Sequence, residues 1–315
     1  MNENPLGIST SWNAAGVDDG GAIVAQVTGL GFKGLEVEYR VSEAAVEGIE
    51  SAVRSGLVRV LSVHNYSPLL SGEKASSRGG DKRNLASLDA KDAAEAAALA
   101  RRSVDLAVRL GARALVVHAG ETDIDRAYFG DLADAVRDHG LNSVEAARIR
   151  DQVAALREDR KAPYLDAALE SLGTLEAYAA PRGISIGVEN RYYYHQVPLP
   201  AEIAWIIDEL NSPHVGYWHD AGHAHVMEVL GFLSHMESLE ALADRMIGIH
   251  LHDSVFIRDH RPVGTGEIDF PSILEKVPPE AIKIVELAPG TDEEEIRRSM
   301  SRLRDLGLTE SRAGT

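Results

Sequence analysis

The chain has 315 residues, 44% of them hydrophobic and 26% charged, with no cysteine and a formal charge of −17 at neutral pH. This is the balance of an ordinary globular protein with a large core; the missing thiols exclude disulfides, thiolate metal sites and cysteine nucleophiles, and fit a reducing cytoplasm. The acidic excess would repel a phosphate-rich polymer, so nucleic acid is not an expected partner, and neither a membrane span nor a secretory signal is legible.

Short β-rich segments recur along the chain. Strands are predicted at Leu6–Thr10, Gly34–Tyr39, Val60–His64, Ala114–His118, Ile184–Asn190, Val215–Asp220, Ile247–Asp253 and Lys283–Leu287. They are dense in Val, Ile and Leu, as strands covered on both faces should be. Helical text lies between them. Asp92–Gly111 is rich in Ala, Leu and Arg and closes on a glycine, and the stretches AEIAWIIDEL and EEEIRRSMSRLRDLG follow the same logic. Most strand-to-strand intervals run roughly 26 to 36 residues, the size of one βα unit in an eight-fold barrel. Two are longer. They predict insertions near residues 67–90 and 121–163, the second with an extra charged helical region around Leu132–Arg160. The expected fold is a (β/α)8 TIM barrel over one domain, 1–315, with a doubly wound open sheet as the alternative. The GTG at Gly264–Gly266 opens no helix after a strand, so it is not read as a phosphate loop, and no organic cofactor is expected.

In such a barrel the working groups sit at the C-terminal strand ends. Those positions here collect carboxylates and imidazoles: Glu36 and Glu38, His64, His118 with Glu121 beyond it, Glu189, Asp220 with His223, His250 and His252 followed by Asp253, and Glu286. A single strand-end histidine more often caps or hydrogen-bonds than ligates. Glu189 and Glu286, however, lie in apolar runs, where an unpaired carboxylate is costly to bury and a shared cation is the simplest remedy. His250 and His252 are two apart and share a face. Carboxylate and imidazole donors favour Mn²⁺, Co²⁺, Zn²⁺ or Mg²⁺ without choosing among them.

The motifs GVEN, HDAGHAH, HLHDS, PVGTGEIDF and IVEL, in this order, resemble the xylose-isomerase-like TIM-barrel superfamily. That superfamily includes sugar isomerases and epimerases of the tagatose 3-epimerase and inosose-pathway types, with endonuclease IV as a relative. The resemblance runs from GLEVE to IVEL. It implies one metal held by Glu189, Asp220, His250 and Glu286, with His223 binding substrate or a further metal and with His219 and His225 either structural or supporting the ligands from behind. Likeness to the endonuclease IV branch adds His64, His118 and the late His260, and with them room for a further zinc. Where that branch has an aspartate two residues before the late histidine, this chain has Arg258, which counts against a three-ion cluster.

The reading that follows is a divalent-metal-dependent isomerase or epimerase of a small sugar, sugar acid or cyclitol. Glu189 and Glu286 would act as paired acid and base, with an ion stabilising the enediolate. His64, His118, His223, His252, Arg258 and His260 would bind substrate or additional metal. Trp12 and Phe32 could cover the substrate or belong to the core. The stretch RYYYHQVP (Arg191–Pro198) is expected either to wall the sugar or to pack against the insertion or a partner subunit, so a homo-oligomer stays open. The alternatives are metal-assisted hydrolysis or lyase chemistry, phosphodiester cleavage included, and a sugar-sensing barrel without turnover.

Overall fold

Eight short segments rich in aliphatic residues pair side by side in parallel: β1 (Leu6–Ser9), β2 (Gly34–Val37), β3 (Arg59–His64), β4 (Ala114–Val117), β5 (Ser185–Glu189), β6 (Val215–Asp220), β7 (Met246–Leu251) and β8 (Ile282–Val285). In this computed structural model, which describes residues 6–73 and 83–308, each strand pairs with the next in sequence and β8 returns to β1. The sheet is therefore a closed barrel, and the open-sheet alternative falls. Closure leaves no unpaired edge, and it gathers all eight C-terminal strand ends at one mouth.

The helices are α1 (Gly20–Gly29), α2 (Glu43–Arg54), α3 (Ala90–Leu110), α4 (Ala127–His139), α5 (Val144–Ala179), α6 (Pro200–Leu210), α7 (Ala221–Val229), α8 (His235–Leu242), α9 (Phe270–Leu274) and α10 (Glu293–Asp305). Their starts are written locally. Asp19, Ser42, Asp89, Ser143, Ser234 and Asp292 each accept a backbone N–H of the first turn, which would otherwise lack a partner. Among the described residues no helix is long and apolar enough to cross a membrane.

Most of the core lies between the strands and the helices, where Phe32 is fully buried and Trp12 nearly so. A separate plug of Leu61, Ala114, Val116, Trp218, Ile282 and Ile284 fills the lumen. Trp218 fits there because β5 and β7 offer glycines on either side. A Cβ at Gly187 would lie 2.8 Å from the indole, and one at Gly248 closer still. The plug floors the mouth, so polar groups above it face a dry surface.

The second predicted insertion is real and helical. α4 and the 36-residue α5 pack as a hairpin, and α5 runs on to become the barrel's own helix before β5. Its anchor is Arg157, which is buried; its two terminal nitrogens each lie 2.6 Å from one oxygen of Glu202 on α6, and Nη2 also donates to Gln196 O at 2.9 Å. The basic stretch of the first insertion, Ser76–Asn84, falls almost wholly at 74–82, outside the described residues.

Replacing Arg157 with methionine should leave the Glu202 carboxylate short of its partner inside the protein. We expect a loss of about 3 kcal/mol, the scale for breaking a buried ion pair. It should appear as a lower urea midpoint at unchanged m value.

Candidate metal centre

Three carboxylates converge on one imidazole nitrogen at the barrel mouth. His250 Nδ1 lies 3.0 Å from Glu189 Oε1, 3.1 Å from Glu286 Oε2 and 3.5 Å from Asp220 Oδ2. All four side chains are buried, and one ligand atom from each falls within 4.8 Å of the others. The ends of β5, β6 and β7 and the residue just beyond β8 thus bring together the four residues that the resemblance implied as a metal set.

The hydrogen bonds around them show whether a cation fits. His64 Nδ1 lies 2.8 Å from Asn65 O, an acceptor, so it carries the proton; Nε2 then turns a lone pair toward Glu189 Oε2 at 3.2 Å. His250 Nε2 sits 3.1 Å from both oxygens of the buried Glu36, which also accepts from Ser62 Oγ at 2.7 Å. With that proton on Nε2, Nδ1 too presents a lone pair to carboxylates. His223 Nδ1 donates to Asn190 O at 3.0 Å and leaves Nε2 facing Asp259, 3.8 Å away. Lone pairs opposed to carboxylates are unfavourable unless a proton or a metal ion lies between them. A hard or borderline divalent ion fits this donor set, and Glu36 on His250 is the outer carboxylate that commonly orients a ligating histidine.

Protons fill the role when they must. Burial alone would lower the pKa of His250, but Glu286, Glu36 and Glu189 raise it well above the ordinary value. Burial opposes protonation of His64 too, yet its hydrogen bond to Glu189 and the charges around it bring it to about 9. Glu189 would be raised by burial, but His118 and His250 hold it well below the carboxylate range, and Glu286 is lowered likewise by His250 and His260.

Glu189 faces two ways. While Oε1 points to His250, Oε2 lies 2.7 Å from His118 Nε2 and 3.2 Å from His64 Nε2, so His64, His118 and Glu189 form a second three-donor group. His223, Asp259 and His260 form a third. This last group corrects the expectation drawn from Arg258. Arg258 is exposed on the antiparallel ribbon Asp253–Val255/Arg258–Arg261, and the carboxylate comes from its neighbour Asp259 instead. Asp259 was missed because strand alternation would set it on the opposite face from His260, and the left-handed backbone at His260 breaks that alternation. His260 itself holds φ +54°, a left-handed conformation uncommon for a side-chain-bearing residue. His252 touches the centre differently: Nε2 lies 2.9 Å from Asp220 Oδ2, and Nδ1 accepts from His260 N–H at 2.9 Å.

Three residues that each follow a strand-end histidine or glutamate fasten the centre. Asn65, after His64, donates from Nδ2 to His118 O and accepts from His118 N–H at 3.0 Å. Asn190, after Glu189, does the same to Asp220, at 3.0 and 2.7 Å. Each amide continues the sheet's pairing by one step, so the strand end at His64 is tied to His118 and that at Glu189 to Asp220. Asp253, after His252, accepts from the N–H groups of Ser254, Gly264, Gly266 and Ile268, so the GTG loop wraps a carboxylate and shapes the ribbon that carries Asp259 and His260. The tyrosines of RYYYHQVP pack on the insertion. Tyr192 and Tyr193 meet Phe129, Tyr194 stacks on Phe232 at 3.9 Å, and Tyr192 also edges His223 at 5.7 Å. His219 is structural, hydrogen-bonded between Tyr217 and His235, and His225 pairs with Glu267.

Removing divalent ions should destabilise the protein in a pH-dependent way. His64 has its folded pKa raised, so its contribution in the ion-free protein is complete below about 6.5, its ordinary value, and is lost as pH rises through about 9. A bound ion takes the proton's place and removes that loss. The gap in Tm between ion-loaded and chelator-treated protein should therefore widen from pH 6.5 to 9; a gap that is absent or narrows would exclude the centre as drawn.

No curated protein matches the chain by sequence. Among solved structures it resembles a D-tagatose 3-epimerase-like protein (18% identity, 96% of each chain, TM-score 0.64). It also resembles an L-ribulose 3-epimerase (15% identity, 98% of this chain and 95% of that one, TM-score 0.68) and a 3-keto-D-glucoside 4-epimerase from E. coli (16% identity, 95% and 98%, TM-score 0.66). At these identities the likeness is one of fold. The family described as xylose isomerase-like TIM barrel matches residues 24–306. With the closed barrel and the motif order both in place, the chain belongs to the xylose isomerase-like TIM barrel family.

Proposed function

We propose that the protein is a divalent-metal-dependent isomerase or epimerase acting on a small sugar, sugar acid or cyclitol. The observation that carries this reading is the buried group of Glu189, Asp220, His250 and Glu286 at the C-terminal mouth of the barrel. The names of the structural neighbours, which are sugar epimerases, support it. Such an ion would supply electrophilic stabilisation of the charge that develops when a proton leaves the carbon next to a carbonyl.

The residues do the rest. Glu189 and Glu286 reach the centre from β5 and just beyond β8, strands separated by two others, so they approach a substrate from different sides. Neighbouring histidines hold both ionised, which is what a proton acceptor needs, and a pair of such groups can remove a proton on one face and return it on the other. His223 Nε2 and the half-buried His260 stand at the mouth, where they can accept or donate to substrate hydroxyls. Arg258, exposed on the ribbon, would meet only an acidic substituent that extends beyond the cluster. The charge of −17 favours a small ligand over nucleic acid, and the lack of cysteine fits a cytoplasmic location.

A second reading has its own support. The flanking groups His64/His118/Glu189 and His223/Asp259/His260 would allow further ions, a set suited to metal-assisted hydrolysis or lyase chemistry. Metal counting with activity on both substrate classes separates the two readings. Activity on ketoses or keto-cyclitols supports the first, and metal-dependent phosphodiester cleavage without sugar turnover would replace it with the second.

Glu286→Gln keeps the size and one oxygen donor but cannot take a proton. We expect solvent deuterium incorporation into substrate to fall by at least about 100-fold, the low end for general-base catalysis. Metal content measured on the same preparation separates loss of the base from loss of the ion. Exchange at the wild-type rate would place the base elsewhere.

A further inference from the structure

The histidines at the barrel mouth divide by the direction of their protons. His64 and His223 each give an N–H to a chain carbonyl, and His250 gives one to Glu36; each then turns its other nitrogen to the centre as a lone pair. His252 is reversed. His260 N–H can only donate, so His252 Nδ1 must be the acceptor at 2.9 Å, and the ring's proton sits on Nε2, 2.9 Å from Asp220 Oδ2. Neither nitrogen is left to ligate a metal, although the ring lies near His260 and Glu286.

The ring's position is built for it. His252 is fully buried and stacks flat on His260, with ring centres 4.4 Å apart and planes 5° from parallel. Its other side meets Gly222, in the middle of the D-A-G-H run. A Cβ there would fall inside the van der Waals radii of Cε1 and Nδ1 of the imidazole. Gly222 lies in the first turn of α7, where glycine is a poor helix former and alanine a better one. The choice of glycine is explained by the ring it admits.

Resting on the metal-centre reading above, we infer that His252 is a positioning residue rather than a ligand: a neutral imidazole that locks Asp220 and His260 at once. Through Nε2–H it fixes the Asp220 carboxylate in the four-donor group. Through Nδ1 it holds the backbone of His260 in its left-handed conformation, and so the third group, His223/Asp259/His260, in register with the first. Gly222 is the space that makes the lock possible.

Isosteric half-replacements test this. His252→Gln carries an amide N–H at about the place of Nε2, and His252→Asn an oxygen at about the place of Nδ1. The probe is Co²⁺ added to the chelator-stripped full chain, with affinity read by chelator competition and ligand geometry by the visible absorption band. His252→Asn should weaken the tightest Co²⁺ site about 10- to 100-fold, the range for loss of a partner that orients a ligand. His252→Gln should hold that site within about threefold of wild type, because it keeps the donor to Asp220. Gly222→Ala touches no ligand and improves the helix, yet should weaken the same site like His252→Asn and shift its absorption band. Melting in excess chelator reports folding of each variant apart from metal. Equal, wild-type-like affinities in His252→Asn and Gly222→Ala would overturn the lock while leaving the metal centre standing. If wild-type protein binds no Co²⁺, the centre and the lock both fall. A wild-type absorption band altered in His252→Gln as much as in His252→Asn would make His252 a ligand and likewise overturn the inference.

Discussion

The arrangement of the mouth depends on charge compensation at a single nitrogen. Glu189, Asp220 and Glu286 all face His250 Nδ1 inside the protein, and Glu36 faces the same ring from behind. Four carboxylates in so small a buried volume are tolerable only with positive charge among them, from protons on histidines or from a metal ion. This requirement explains the density of histidines around the centre. It also explains why each proton whose position the hydrogen bonds decide points either to a chain acceptor or to a carboxylate.

Compensation alone would not give a defined geometry, and the surrounding polar groups supply it. Asn65 and Asn190 extend the sheet's pairing by one step past the last strand residue and join His118 to the strand end at His64 and Asp220 to that at Glu189. Ser62 and Glu36 set the ring of His250 from below. Asp253 gathers four backbone N–H groups and so shapes the ribbon that brings Asp259 and His260 inward. Each of these groups is buried and each has partners, so the mouth is preorganised without help from a substrate.

The helical insertion belongs to the same design. It contributes none of the grouped donors, but Phe129 carries the tyrosine loop after β5, and Tyr192 in that loop stands against His223. Arg157 ties the insertion to α6 and to Gln196 in the same loop. The loop tyrosines pack on Phe129 and Phe232 and set Tyr192 against His223, and so brace one wall of the centre. α5 is long enough to serve both as barrel helix and as brace, so displacement of one would be felt by the other.

Much of this was legible in the chain itself. Aliphatic runs spaced by one βα unit announced eight strands, and acidic or imidazole residues ending those runs announced the mouth, because the period of the hydrophobic pattern is local information. The strand ends offered a longer list of carboxylates and imidazoles, and it was the resemblance of the ordered motifs to a known family that singled out Glu189, Asp220, His250 and Glu286. What only the tertiary structure decided is which of several chemically equal neighbours turns inward. Asp259 rather than Arg258 reaches the cluster, His252 presents a proton where the other histidines present lone pairs, and Gly222 is small because a ring from another strand lies against it. Those outcomes depend on contacts between residues far apart in sequence and on the side to which a ribbon twists, and neither is written in the order of the amino acids around them.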